Sequence, residues 1–417
     1  MRLTDYLRDN APFLTTGAML TFLSSFGQTY FISLFAGEVR LAFDLSHGAW
    51  GGIYMIGTMA SAALMVWAGG LTDIFRVRIL APIVLTGLAL ASLAMALNPW
   101  VWALPFIVFA LRFFGQGMCS HIAVIAMARW FVATRGRALS IASLGFATGE
   151  ALVPMAVVAA MTVMAWQNLW VMAAGVCVLM IPVLNRLLRQ ERTPASHAAT
   201  DVSVGMRGHH WRRLQALRHP LFWCMVPAVL GPAAFNTAFF FHQVHISDVK
   251  GVEHLVFVSF FPLYTAIGIT AMVVSGWALD RLGTARLTPY YQLPMVIAFL
   301  IFANTQNPFG LALGFVFLGL TSGANTTLPN AFWAEFYGTA HIGSIKSMAT
   351  AVMVLGSAIG PGLTGALIDF GIGIETQFFA IAGYFLLTTL TMFFGITRAA
   401  RDVPPGQSSA DVRTPRP

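Results

Sequence analysis

Twelve stretches of this chain are apolar enough to enter a lipid bilayer, and that property alone excludes most folds. A membrane-crossing helix needs on the order of 20 apolar residues. Inside hydrocarbon each backbone amide must be satisfied within its own segment, which leaves helices as the solution for runs of this length. The runs fall near 12–36, 49–70, 79–98, 101–128, 138–161 and 165–187, then near 221–244, 254–277, 287–304, 309–332, 344–367 and 375–397. Hydrophobic residues make up 57% of the chain and charged residues only 10%, against roughly 45–50% and 25% in soluble domains. The expectation is an all-α membrane protein with twelve transmembrane helices, six in each half. The first run is too long for a signal peptide and lacks a small-residue cleavage site, so it is expected to stay as a helix.

The formal charge of +8 would suggest nucleic acid in a soluble chain, but here its distribution matters more. With the amino terminus placed inside, 21 of the 24 Lys and Arg fall on the cytoplasmic side, Arg40 and Lys250 lie outside, and Arg112 alone is deep in a run. The positive-inside rule then predicts a multi-pass protein with both termini cytoplasmic, in the inner membrane if the cell is bacterial, with no nucleic-acid partner. Cys119, Cys177 and Cys224 lie in three different runs and imply no disulfide framework. The expected organisation is a six-helix half at 1–188, a central cytoplasmic loop at 189–220, a second six-helix half at 221–398 and a disordered tail at 399–417. In the central loop Trp211, Leu214 and Leu217 share one helical face, which fits either a piece lying on the membrane surface or a solvated linker.

An internal repeat joins the halves. Ser275 to Arg286 reads SGWALDRLGTAR, and a degraded copy, AGGLTDIFRVR, runs from Ala68 to Arg78. Both carry a glycine, three residues and an aspartate: Gly69 with Asp73, and Gly276 with Asp280, an offset of 207 residues. Each joins the second and third runs of its half, so the chain reads as two homologous halves. The pattern Gly-x-x-x-Asp-Arg-x-Gly-x-x-Arg, met by Gly276, Asp280, Arg281, Gly283 and Arg286, resembles the loop signature of the major facilitator superfamily of membrane transporters. The first copy keeps Gly69, Asp73, Arg76 and Arg78 but lacks the Arg and Gly that are usual just after the aspartate. The resemblance implies the major facilitator fold and gating roles for Asp73 with Arg129, and for Asp280 with Arg281 and Arg286; Glu335 stands at the place related to Arg129.

Polar residues are expensive in hydrocarbon, so a polar stripe on one helical face implies that the face meets water or substrate. Run 1 carries Thr21, Ser24, Ser25 and Gln28; run 4 carries Arg112 and Gln116; run 7 carries Asn236 and Gln243; run 10 carries Ser322, Asn325 and Thr326. In the superfamily this chain resembles, helices 1, 4, 7 and 10 line the central cavity. Glycines recur at spacing four in run 5 (Gly145, Gly149) and run 11 (Gly356, Gly360), which reads as close helix packing. His242 and His245 end run 7, where structural roles are expected, and His121, opposite Arg112 on run 4, reads as a packing residue.

Arg112 and Glu150 are the deep charges, about 6 Å apart in depth at 1.5 Å per residue. Pairing, protonation of Glu150, or a bound anion must satisfy them, because an unpaired buried charge costs several kcal/mol. The planar fork of Arg suits a carboxylate, which points to an organic anion. The segment ARWFVATRGRALSIASLGFATGEALVP is similar to the helix 4 to 5 junction of the monocarboxylate and oxalate/formate branch, although run 8 has no cation before Arg281, where those relatives place one. The reading is a monomeric secondary transporter of a small organic anion. It takes Arg112, Gln116, Gln28, Asn236 and Asn325 to substrate, Glu150 to proton coupling, and no cofactor, metal or enzymatic activity. No Gly-x-x-x-x-Gly-Lys-Ser/Thr is present, so a gradient must supply the energy. The rivals are a proton-driven drug efflux antiporter, disfavoured because the Gly-Pro pair sits at Gly360 and Pro361 rather than in run 5, and a non-transporting sensor.

Overall fold

The computed structural model describes residues 3–131, 134–189 and 204–403. The tail from 404, the loop stretch 190–203 and the side chains of Asp73 and Arg135 lie outside what is described, so the expectation of a disordered tail falls almost wholly outside it too. The described residues form helices and no strand. Eleven helices are long and apolar enough to cross a membrane, and a pair bent by 44° makes a twelfth. In order they are α1 (Asp5–Gly27 with Thr29–Phe43), α2 (His47–Ala68), α3 (Val77–Leu97), α4 (Val101–Trp130), α5 (Gly136–Met161) and α6 (Trp166–Leu187), then α7 (Pro220–Phe241), α8 (His254–Leu282), α9 (Thr284–Asn304), α10 (Pro308–Tyr337), α11 (Ser344–Asp369) and α12 (Ile374–Asp402). The all-α, twelve-helix expectation holds.

Two compact units emerge. Unit 1 comprises Met1–Ala199 with Phe240–His245 and Pro361–Ala366; unit 2 comprises Thr200–Phe239, Ile246–Gly360 and Leu367–Pro417.

In unit 1 small residues set the packing, since apolar side chains gain little by leaving lipid for one another. A Cβ on Gly145 would run into the Ala18 carbonyl, and the Thr21 hydroxyl donates to the Ala142 carbonyl at 2.5 Å, so α1 and α5 touch backbone to backbone. The chain continues from α1 through a break: Ser24–Gly27 tightens to a 3₁₀ turn and Gln28 is extended (φ −83°, ψ 155°) before the helix resumes at Thr29. The short segments borrowed from later in sequence are held by polar bonds. Gln243 Nε2 donates to the Tyr30 carbonyl at 3.1 Å and to Ser33 Oγ at 2.7 Å, and His242 Nε2 sits 3.0 Å from the Pro361 carbonyl.

Unit 2 repeats the glycine device: a Cβ on Gly356 would lie 2.7 Å from the Leu230 carbonyl, and one on Gly360 would meet the Ala234 carbonyl, so α11 lies on α7. Lys250, an outer-loop residue by sequence, is fully buried and pairs with Glu375 at 2.5 Å, with Gln306 donating to the same carboxylate at 2.7 Å.

The described part of the central loop, from 204 onward, is not a free linker. It folds as a strap onto unit 2. Met206 and Ala216 are fully buried in a cluster with Phe332, Trp333, Phe336 and Tyr337 of α10, while Leu214, expected on the apolar face, is exposed. Trp211 donates its backbone N–H to the Tyr337 carbonyl at 3.1 Å and its indole N–H to the Met206 carbonyl at 3.2 Å. Gly205 is required by closeness: a Cβ there would lie 2.5 Å from the carbonyl carbon of Tyr337. Arg207 closes the strap on Asp402 at 3.0 Å. Burial, and then the Arg207 charge, lower the pKa of His219 against the opposing pull of Asp402, and its ring meets the Trp211 edge.

Candidate functional site

Arg112 is 3% exposed and opens a π-helical stretch, Arg112–Cys119, inside α4. Such widened turns recur at functional positions because they re-aim side chains. The stretch coincides with a glycine contact. A Cβ on Gly115 would lie 2.5 Å from Gly27 Cα, so only a glycine pair lets the break in α1 rest on the widened turn of α4.

A helix break leaves carbonyls without intrahelical partners. Arg112 uses that: Nη1 donates to the Gly27 carbonyl at 3.4 Å and to the Thr29 hydroxyl at 3.2 Å. Beneath it the Tyr54 ring centroid lies 5.3 Å from the guanidinium carbon, and the Tyr54 and Thr29 hydroxyls share a 2.6 Å hydrogen bond. A desolvated cation over an aromatic face gains about 2 kcal/mol. These partners are all neutral. Arg112 Nε and, four residues on, Gln116 Oε1 are buried with no hydrogen-bond partner among the described residues.

Glu150 reaches α1 one residue further along. Gly149, lacking a side chain, leaves room for the Ser25 hydroxyl, which accepts from Tyr30 OH at 2.8 Å. The half-buried Glu150 carboxyl is close enough to act electrostatically on Tyr30. Arg112 therefore bonds α1 at Thr29, and Glu150 acts through its charge on the next residue, Tyr30. Gln28, 8% exposed, lies at the same break and donates to Ser24 Oγ at 3.4 Å.

Unit 2 holds Asn236 and Asn325 in two polar networks. Asn236 Nδ2 donates to Ser322 Oγ at 3.1 Å and Tyr264 OH at 3.4 Å, while its Oδ1 has no partner among the described residues. Asn325 Oδ1 accepts from Tyr291 OH at 3.2 Å, and Tyr291 in turn accepts from Gln292 at 2.9 Å.

The two loops differ. In the first, Arg129 Nη1 donates to the Thr72 carbonyl at 2.5 Å, one residue before Asp73, and His121 Nε2 lies 3.2 Å from the Gly69 carbonyl. His121, expected to be a packing residue, thus holds the loop. In the second, Asp280, Arg281 and Arg286 are exposed, Arg281 stacks 4.1 Å above the Trp277 ring, and Glu335 accepts a hydrogen bond from Thr284.

Thr29, Tyr54 and Tyr30 were missed from sequence, while Ser25 stood in the polar stripe of run 1. Thr29 continues the Thr21–Ser25 spacing of four, and Tyr54 heads a polar spacing of four and three with Thr58 and Ser61, so both had a usable signal.

The sequence model described as Major Facilitator Superfamily matches residues 17–303, more than half of the chain. The protein belongs to this superfamily, a family of membrane transport proteins. No curated protein sequence matches it. Among solved structures it is similar to a bacterial homologue of the human lysosomal transporter Spinster, inward-facing and unoccupied, at TM-score 0.74 and 14% identity over 95% of this chain and 99% of that one. It is also similar to the nucleoside transporter NupG (TM-score 0.70, 14% identity, 92% and 98% covered) and to a D-xylose-proton symporter (TM-score 0.69, 15% identity, 94% and 98% covered).

Proposed function

We propose that this protein is a monomeric secondary active transporter that carries a small organic anion, monocarboxylate-like, together with protons by alternating access, with both termini cytoplasmic. The observation that carries the reading is the buried guanidinium of Arg112, whose direct hydrogen-bond and ring partners among the described residues are neutral and whose Nε is left over. A carboxylate offers two oxygens to such a fork and supplies the missing charge. Gln116 and Gln28 stand beside Arg112 as polar contacts to the substrate, and Asn236 and Asn325 are assigned to it as well. Asp73, Arg129, Asp280, Arg281 and Arg286 are assigned to gating.

Coupling runs through the break in α1. Glu150 is half-buried in an apolar setting, so its ionised form is costly unless a cation balances it. With the binding site empty, the Arg112 charge supplies that balance across Thr29 and Tyr30. When an anion takes Arg112 the balance is cancelled and Glu150 takes up a proton, so substrate and proton bind together by linkage. Proteoliposomes test this. Glu150→Gln, which mimics the protonated carboxyl, should still exchange substrate across the membrane but fail to concentrate it under an imposed pH difference; Arg112→Lys keeps the charge, loses the fork and should cut uptake at least tenfold. Undiminished accumulation in Glu150→Gln rejects the coupling, and normal kinetics in Arg112→Lys reject the anion site. Stabilisation of the purified protein by cationic drugs alone would favour an efflux antiporter.

A further inference from the structure

A crevice of about 340 Å³ opens on unit 2 between α8, α9 and α10. Its walls include Ile267, Val274 and Ala278 of α8, Leu287 and Tyr290 of α9, and Leu328 of α10. Two of its hydroxyls are engaged: the Thr270 hydroxyl donates to its own helix at the Ala266 carbonyl, and Tyr291 OH donates to the Ala228 carbonyl and Asn325. Ser275 and Tyr290 add hydroxyls to a lining that is otherwise almost all hydrocarbon, on a helix whose Val273, Val274 and Trp277 are largely exposed. An exposed apolar face on a membrane-spanning helix suits lipid, and a crevice with this lining suits an acyl chain.

One end of the crevice is charged. The lining stripe of α8 advances by three or four residues, 267, 271, 274, 278, and its next member is Arg281. The Arg281 guanidinium is held 4.1 Å above Trp277, an amphipathic ring of the kind that sits at headgroup level. Arg286, also exposed, directly precedes the lining residue Leu287, and half-exposed Tyr290 follows one turn on. Two acids are near, Asp280 in sequence and Glu335 through Thr284. Asp280 falls on the opposite face of α8 by the 100° rule, and Glu335 is engaged by Thr284. The mouth therefore presents two guanidiniums above an apolar slot.

We propose that this crevice is a binding site for one anionic phospholipid, its acyl chain between α8, α9 and α10 and its phosphate on Arg281 and Arg286. Basic pockets between transmembrane helices select acidic headgroups in this way. The site shares no residue with those assigned to the substrate, though Arg281 and Arg286 are also assigned to the gate.

Purified protein in detergent should be titrated with phosphatidylglycerol, phosphatidylcholine and soluble glycerol phosphate, reading bound lipid by native mass spectrometry and the melting temperature. Phosphatidylglycerol should bind about tenfold or more tightly than phosphatidylcholine, and glycerol phosphate should give no shift. Arg281→Gln with Arg286→Gln should erase the preference while leaving neutral-lipid binding intact. Val274→Trp, at a largely exposed position that folding tolerates, should fill the slot and weaken both lipids. Equal binding of the two lipids in the unaltered protein, a glycerol phosphate shift matching phosphatidylglycerol, or full binding by Val274→Trp would each overturn the proposal.

Discussion

The two copies of the loop that links the second and third helices of each half start from one sequence pattern and end in opposite electrostatics. In the first copy a cation, Arg129 at the end of α4, donates to the Thr72 carbonyl, in the short helical turn Leu71–Ile74. In the second an anion, Glu335 near the end of α10, accepts from Thr284, the first residue of α9. Each charge is placed where a helix end favours it, a cation by C-terminal carbonyls and an anion by an N-terminus. The turns differ too. Gly283 has φ 79° and ψ 158°, a region open essentially to glycine, whereas Phe75 (φ −102°, ψ 143°) and Arg76 (φ −68°, ψ 147°) make the first turn in ordinary extended backbone. The degraded motif is thus not a damaged loop. Its turn needs no glycine, and its clamp carries the opposite sign.

The largest effect is expected at Gly283. Valine there must be forced into a conformation costing about 1–3 kcal/mol, with a branched side chain adding to it. Gly283→Val should lower the melting temperature of the purified protein by several degrees and slow the exchange between inward- and outward-open states. Cysteine labelling at a position such as Ser322 would follow that exchange. A variant as stable as the parent would mean that the second turn relaxes into extended backbone like the first.

Next come the clamps. Arg129→Ala removes a charge-assisted bond to a carbonyl, of the order of 1.5–3 kcal/mol. Glu335→Gln keeps an acceptor oxygen for Thr284 and gives up only the charge, about 0.3–1 kcal/mol at a helix N-terminus. Melting curves should therefore rank Arg129→Ala below Glu335→Gln. The reverse order would show that the second loop, not the first, depends on its charge.

How much of this was open to the sequence follows from where each property resides. The spans were legible because hydrophobicity is written residue by residue, and Arg112 and Glu150 stood out because charge in an apolar run is rare. The break at Gln28 and the widened turn at Arg112 were not, since neither contains a proline and both arise from the contact of Gly27 with Gly115, 88 residues apart in sequence. Thr29 and Tyr54 gain their roles only through that contact. The strap was hidden for a similar reason: Met206 and Trp211 are isolated apolar residues in a polar stretch, and their burial depends on a hollow among the aromatic residues of α10. His121 looked like packing because its partner is a backbone carbonyl, which no side-chain pattern announces.

The smallest effect should come from putting a glycine back into the first loop. Arg76 is exposed and adopts φ −68°, so its side chain is not needed for the turn and its backbone is unstrained. Arg76→Gly then loses no folded-state contact and acts through the unfolded chain, which gains conformational freedom. That costs about 0.4–1 kcal/mol, less than the strain of Gly283→Val. Because the substitution also removes a positive charge next to the N-terminus of α3, a small compensating gain is expected, which narrows the net change further. The two variants measured side by side, as melting temperatures in one detergent, decide whether the loops are truly different turns. A clear stabilisation by Arg76→Gly would reveal strain in the first turn and return it to the same class as the second.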